Sequence, residues 1–182
     1  MLEKKLLTLG SAIGILVCGA CFLPPLPEPK LPLPPALASV HTIAIQVEDG
    51  TGGKPFDPVI MSSDTASNFN RILMDYRIRA KTFQAGGDRD AVLRITVLNK
   101  TASCVPSGNG ENFSIELIAS YTLMAVDGRV LLSRPRLSSK NGIWQQGNSL
   151  PEDLSASTFR RLASESLASS AGKILLLSEH SN

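Results

Sequence analysis

The sequence predicts an α+β domain: an antiparallel or mixed sheet of four to five strands with two helices packed on one face. Three observations predict it. Apolar residues fall at every second position in several short stretches between residues 42 and 132, the period of half-buried strands. Near 57–75 and 152–179 the apolar spacing becomes helical. The resulting order, β-α-β-β-β-β-α, suits helices gathered on one side of a sheet.

The first strand is residues 42–47, with Ile43, Ile45 and Val47 on one face, and the turn-rich run EDGTGGKP ends it. Asp57-Pro58 then opens a helix, Asp as the cap and Pro at the first helical position, where its missing N–H costs nothing. This helix runs to about Asp75 and offers Met61, Phe69, Ile72, Leu73 and Tyr76 to a core. A weak strand spans 77–83, and the GGDRD loop leads to a better one at 91–99, where Leu93, Ile95 and Val97 share a face. In that loop Asp88 and Asp90 flank Arg89 and read as a solvated turn that pairs its own charges.

A flexible loop, SGNGEN, connects to the most regular strand, 113–126, with Phe113, Ile115, Leu117, Ala119, Tyr121 and Leu123 aligned. Asp127-Gly128 reads as a two-residue hairpin turn, both positions at positive φ. Residues 130–132 begin the return strand, which Pro135 interrupts or confines to an edge. Trp144 in GIWQQG is the sole tryptophan and a candidate anchor to the core or to a partner. In the last helix Phe159, Leu162, Ser166, Ala171, Ile174, Leu175 and Ser178 form a stripe of mostly small residues, which lets a helix approach a sheet closely.

Ahead of the domain, Lys4 and Lys5 precede 18 uncharged, mostly apolar residues ending at Leu23, with Gly19-Ala20-Cys21 near the end. A basic start, an apolar stretch and small residues define an export signal. Cys21 is the expected lipid acceptor, so residues 1–20 read as the signal peptide, 21–38 as a tether and 39–182 as a single domain. Cleavage without lipidation and an uncleaved membrane anchor are the alternatives, since 18 apolar residues lie at the short edge of a spanning helix. Residues 24–35 hold seven prolines. Such a run is extended and reaches roughly 35–40 Å at about 3.1 Å per residue.

Of 18 basic and 16 acidic residues, two and one lie within residues 1–20, which leaves 16 and 15. That balance argues against a nucleic-acid partner, which would demand a basic excess. Cys104 is expected to be a small buried apolar residue, or to bridge to Cys21 if Cys21 is not acylated. The two histidines, His41 and His180, have no ligand or triad pattern around them, and apart from the Cys18/Cys21 spacing inside the export signal no CxxC, HExxH, P-loop or GxSxG occurs. The chain is therefore expected not to be an enzyme and to need neither metal nor cofactor. One charge cluster stands out. Arg134, Arg136 and Lys140 follow the hairpin, with Arg129 across its turn. In a regular strand 134 and 136 share a face and could reach one phosphate, while the alternative is an edge kept soluble by charge.

With these residues in view, the chain resembles the LPS-assembly lipoprotein (LptE) family over residues 33–177. The resemblance rests on the signal with its Cys, Leu33-Pro34 leading into VHTIAI at 40–45, DAVLRITVLN at 90–99, and IELIASYTLMAVDGRVLLSRP at 115–135 before a closing helix. Two features depart from the family: Cys18 stands three before Cys21 where Leu is usual, and the proline run is long. The resemblance implies a protein lipid-anchored at the periplasmic face of the outer membrane. It also implies that the protein fills a large β-barrel partner, LptD-like, and assists lipopolysaccharide export. The family's lipopolysaccharide contacts do not align here, so Arg134, Arg136 and Lys140 are the expected lipopolysaccharide or anion site from charge and spacing alone. Their joint replacement by Ala is expected to lower lipopolysaccharide binding. Two other envelope roles fit the same residues: an auxiliary lipoprotein of an ABC lipid transporter and a lipoprotein regulator of a peptidoglycan synthase.

Overall fold

A computed structural model describes residues 33–51, 57–146 and 152–177 of the chain. Signal, Cys21 and most of the proline run lie outside them. The elements are β1 (Thr42–Asp49), α1 (Pro58–Leu73), β2 (Arg79–Thr82), β3 (Ala91–Ser107), β4 (Gly110–Ala125), β5 (Val130–Gln146) and α2 (Glu152–Leu177), with short 3-10 turns at Pro35–Leu37 and Met74–Tyr76. The strands form one mixed sheet in the order β2-β1-β3-β4-β5. β1 is parallel to both neighbours, and β3, β4 and β5 run antiparallel in turn. This is the predicted architecture, five strands and two helices.

Period-two burial builds the core. Ile43, Ile45 and Val47 of β1, Leu93, Ile95 and Val97 of β3, and Leu117, Ala119, Tyr121 and Leu123 of β4 are almost fully buried on the face the helices cover. Helix α1 contributes Met61, Phe69 and Leu73, and α2 contributes Leu162, Leu167 and Leu175. Asp57 caps α1 as expected, accepting from the Val59 and Ile60 N–H groups. Ser62 fastens α1 to the sheet: its hydroxyl donates to the Pro58 carbonyl at 2.6 Å and accepts the Val47 N–H at 2.9 Å. The end of the proline run packs on the same core, with Leu37 and Val40 buried and Leu33 half-buried.

Two expectations need correction, and the choice left open at Pro135 is decided in favour of an edge strand. The SGNGEN segment is a tight turn and not a loop: Ser107 pairs with Gly110, and Gly108 takes the positive φ of 63°. At the other end, Ala125 N–H donates to the Arg129 carbonyl and Gly128 N–H to the Ala125 carbonyl. Gly128 alone has positive φ there, so the hairpin is a type I turn with a glycine bulge and not a two-residue turn. Finally, Pro135 does not stop the return strand. β5 runs 17 residues, and pairing shifts between Tyr121↔Arg134 and Ala119↔Leu137. An edge-strand bulge absorbs the residue that cannot donate.

β3 and β5 are each 17 residues long and β1 only eight. At about 3.3 Å per residue the sheet therefore continues roughly 30 Å past β1 as a three-stranded leaf. Helix α1 stops at the level of Asp49 while α2 backs β4, which leaves residues 101–106 of β3 exposed.

Candidate functional site

The predicted basic residues all lie on β5, the outer strand, and all are exposed. The bulge at Pro135 changes how they are arranged. Arg134 sits opposite Tyr121, on the helix-covered face, whereas Lys140 sits opposite Glu116, on the open face. Arg136 lies within the bulge next to Leu137, which faces the helices, so alternation turns Arg136 to the open side. Arg134 and Arg136 thus do not share a face, because the extra residue breaks the period-two register on which that expectation rested. Arg136 and Lys140 stand about 13 Å apart along the strand, on the open face. None of the three forms an ion pair among the described residues.

Two residues the sequence reading passed over build the other wall. Ser139 and Asn141 face α2 and tie it to β5. Ser166 donates to the Ser139 hydroxyl at 2.8 Å, and the Asn141 amide reaches the Leu162 carbonyl and Glu165 at 3.4 Å. Between β5 and α2 they leave a polar groove of about 430 Å³, which Lys140, Ser169, Ser170 and Lys173 also line. The signal was present in the sequence, as serine instead of alanine at 166, 169 and 170 on a helix otherwise rich in small apolar residues. Next to the groove, the Tyr121 hydroxyl is buried with only a marginal hydrogen bond, to Ser170. Burial pushes its pKa up to about 12, and Ser170 pulls weakly the other way.

At the tip of the leaf, Trp144 is half-exposed and lies over Gly110, with its indole N–H donating to the Ser107 carbonyl at 3.3 Å. A Cβ on Gly110 would meet the Trp144 ring at 2.8 Å, so the turn and the indole require each other. The anchor role expected of Trp144 is therefore local. Cys104 is exposed and not buried as expected. Its thiol donates to Glu111 at 3.1 Å, and that carboxylate holds its pKa above the ordinary thiol value. Burial is the usual state of a lone thiol, but above Asp49 no helix covers β3. The GGDRD turn is more ordered than a solvated loop. Asp90 accepts the His41 and Thr42 N–H groups, both at 2.8 Å, which lowers its pKa. Arg89 stacks on Phe83 and donates to the Gln84 and Gly87 carbonyls.

At the root of the leaf, Lys100 meets Asp49 at 2.5 Å, with the carboxylate side chain only 6% exposed. Burial alone would raise the Asp49 pKa, but hydrogen bonds from Lys100 and Thr51 outweigh it and leave it lowered. Among the described residues no group of three or more His, Cys, Asp and Glu side chains is placed to hold a metal ion. No helix there is long and apolar enough to cross a membrane.

The fold and site thus define an α+β domain with a long polar outer strand. No family model matches the chain, and no curated protein does. Among solved structures it is similar to a minor lipoprotein from Acinetobacter baumannii, at 11% identity over 76% of this chain and 94% of that one, TM-score 0.42. It is also similar to the PelC dodecamer from Paraburkholderia phytofirmans (12% identity, 81% and 96% covered, TM-score 0.41). A third is uncharacterized lipoprotein B from Nitrosomonas europaea (9% identity, 83% and 88% covered, TM-score 0.38). Similarity this distant fixes no function for the present chain.

Proposed function

We propose that this chain is a lipid-anchored envelope protein that docks within a large outer-membrane β-barrel and assists lipopolysaccharide export, without catalysis of its own. The observation that carries this reading is the three-stranded leaf. Its open face is lined chiefly by Thr101, Ser103, Ser114, Glu116, Ser138 and Lys140. Ser103 and Ser114 bond each other at 2.8 Å, and Ser138 donates to Glu116 at 3.1 Å. A narrow element with mostly polar side chains suits the wet interior of a wide barrel, where water-bridged contacts serve as well as direct ones. The anchor is supported by the basic start, the apolar run and Cys21. Arg134, Arg136 and Lys140 remain the proposed anion-contacting residues, presented along an edge and not as one clamp.

The test is a pull-down of tagged, natively processed protein from solubilised envelopes, with the co-purifying proteins identified. A large outer-membrane β-barrel is expected in near-equal amount. Recovery of an ABC transporter or a peptidoglycan synthase in its place would refute the barrel reading and favour one of the other two envelope roles.

A further inference from the structure

The two outer strands of the sheet are finished differently. On β2 the outward backbone is closed: Asn70 of α1 accepts the Ala80 N–H at 2.7 Å and donates to the Ala80 carbonyl at 2.8 Å. A side-chain amide that takes both groups of an edge residue occupies the place of a further strand. β5 has no such cover from α2. Among the described residues the side-chain bond to its backbone is local, from the Gly142 N–H to Asn141 next door.

The groove lies beside residues 137–141. Ser139 and Asn141 line it from the helix side, and Ser138 and Lys140 from the opposite side. It therefore follows the edge of the strand and not one face. The unpaired charge there is positive. Lys140 and Lys173 line the groove and Arg134 and Arg136 stand just below it, without ion pairs among the described residues. The one acid in the groove, Glu165, is already engaged by Arg161 and Asn141.

We propose that residues 137–141 of β5 accept a further strand from a partner protein, an extended segment with acidic side chains. Backbone pairing supplies the affinity and the cations choose the partner. A second copy of this chain would set Arg134, Arg136 and Lys140 near their own kind, so the charges that recruit an acidic strand repel self-pairing. The Pro135 bulge marks the lower end of the window, because the strand turns there and one N–H is missing. The inference stands whether or not the partner is a barrel.

The test uses the processed full-length chain and labelled peptides of about ten residues that alternate Glu and Thr. One peptide is unmodified, one is N-methylated on alternate amides and so keeps one clean edge, and one is N-methylated on every amide. Fluorescence anisotropy should show the first two binding and the third at least about tenfold weaker, a difference of about 1.4 kcal/mol. Joint replacement Arg134→Ala, Arg136→Ala and Lys140→Ala should weaken the first two as well. Equal binding of all three peptides would mean charge attraction without strand pairing, and no binding of the unmodified peptide would mean a closed edge; either overturns the proposal. A photoreactive residue placed at Ser138 in intact envelopes adds a second readout. An adduct mapped to an acidic segment of another protein is expected, and adducts confined to lipid or to a second copy would refute it.

Discussion

Tyr121 is a phenol held where a phenylalanine would serve packing equally well. Its hydroxyl is buried with only a marginal bond to Ser170, and an under-satisfied buried polar group costs up to about 1–3 kcal/mol. Tyr121→Phe is therefore expected to leave stability unchanged or raise it by about 1 kcal/mol in chemical denaturation. The pH dependence provides a separate check. Its folded pKa, about 12, lies above the unfolded value, so the folded state holds its proton more tightly. That contribution is complete below about pH 10 and is lost as pH rises toward 12. Tyr121→Phe should remove this part of the alkaline loss. Asp49 has the opposite sign: its folded pKa is lowered, so its contribution is present above about pH 4 and lost as pH falls through the folded value. Lys100→Met should cost about 1.5–3 kcal/mol at pH 7, the worth of a charged hydrogen bond, and flatten the acid limb of the stability curve. A variant as acid-sensitive as the parent would show that other carboxylates control that limb.

At the scale of elements, strands and helices with one buried face were legible and those without one were not. β1, the lower half of β3 and β4 from Phe113 announce themselves because α1 and α2 bury alternate residues. The upper half of β3, TASCVPS, carries no such alternation, since solvent reaches it on both sides. Its strand character comes from pairing with β4, a long-range property that no local pattern encodes. Pro135 reads as a stop or as an edge residue, and only the neighbouring strand supplies the register that decides for the edge and carries the chain past it in a bulge. The basic residues were therefore found by type but misplaced by face, and Ser166 was placed on the sheet-facing stripe as a small residue for close packing and not as a hydrogen-bonding wall of the groove. The tip turn gives the prediction at this scale. Gly110→Ala brings a Cβ against the Trp144 ring and the Gln145 carbonyl, an overpacking worth about 1–3 kcal/mol. Trp144 fluorescence should shift to the red well below the temperature at which helical circular dichroism is lost.

For the whole molecule, the short β1 and the long β3–β5 divide one sheet into two regions of unequal support. In the lower region β1 lies between two strands beneath α1, and its apolar side chains are almost fully buried. In the upper region β3 lacks both the β1 neighbour and a helix over 101–106. Opening free energies follow local burial. Amide exchange should therefore be slowest at residues 43–47 and 93–97 and much faster at 101–106, with α2 backing β4 and holding 113–117 between these extremes. Uniform protection along the full length of β3 would mean that something beyond the described residues covers the leaf.

The place where the chain enters the sheet has a mechanical consequence. The N-terminal approach from Leu33 feeds β1, which is inside the sheet and parallel to the strand on either side. A pull on the tether acts along β1 and loads its hydrogen bonds to β2 and β3 together, in shear. Had the approach fed an outer strand from its free end, the same pull would have peeled pairs one at a time. Ser62 adds a cross-tie at Val47, near the far end of that strand. The domain is thus built to stay folded under a pull from its N-terminal end, the load that the proposed anchor and the proposed strand partner would together impose.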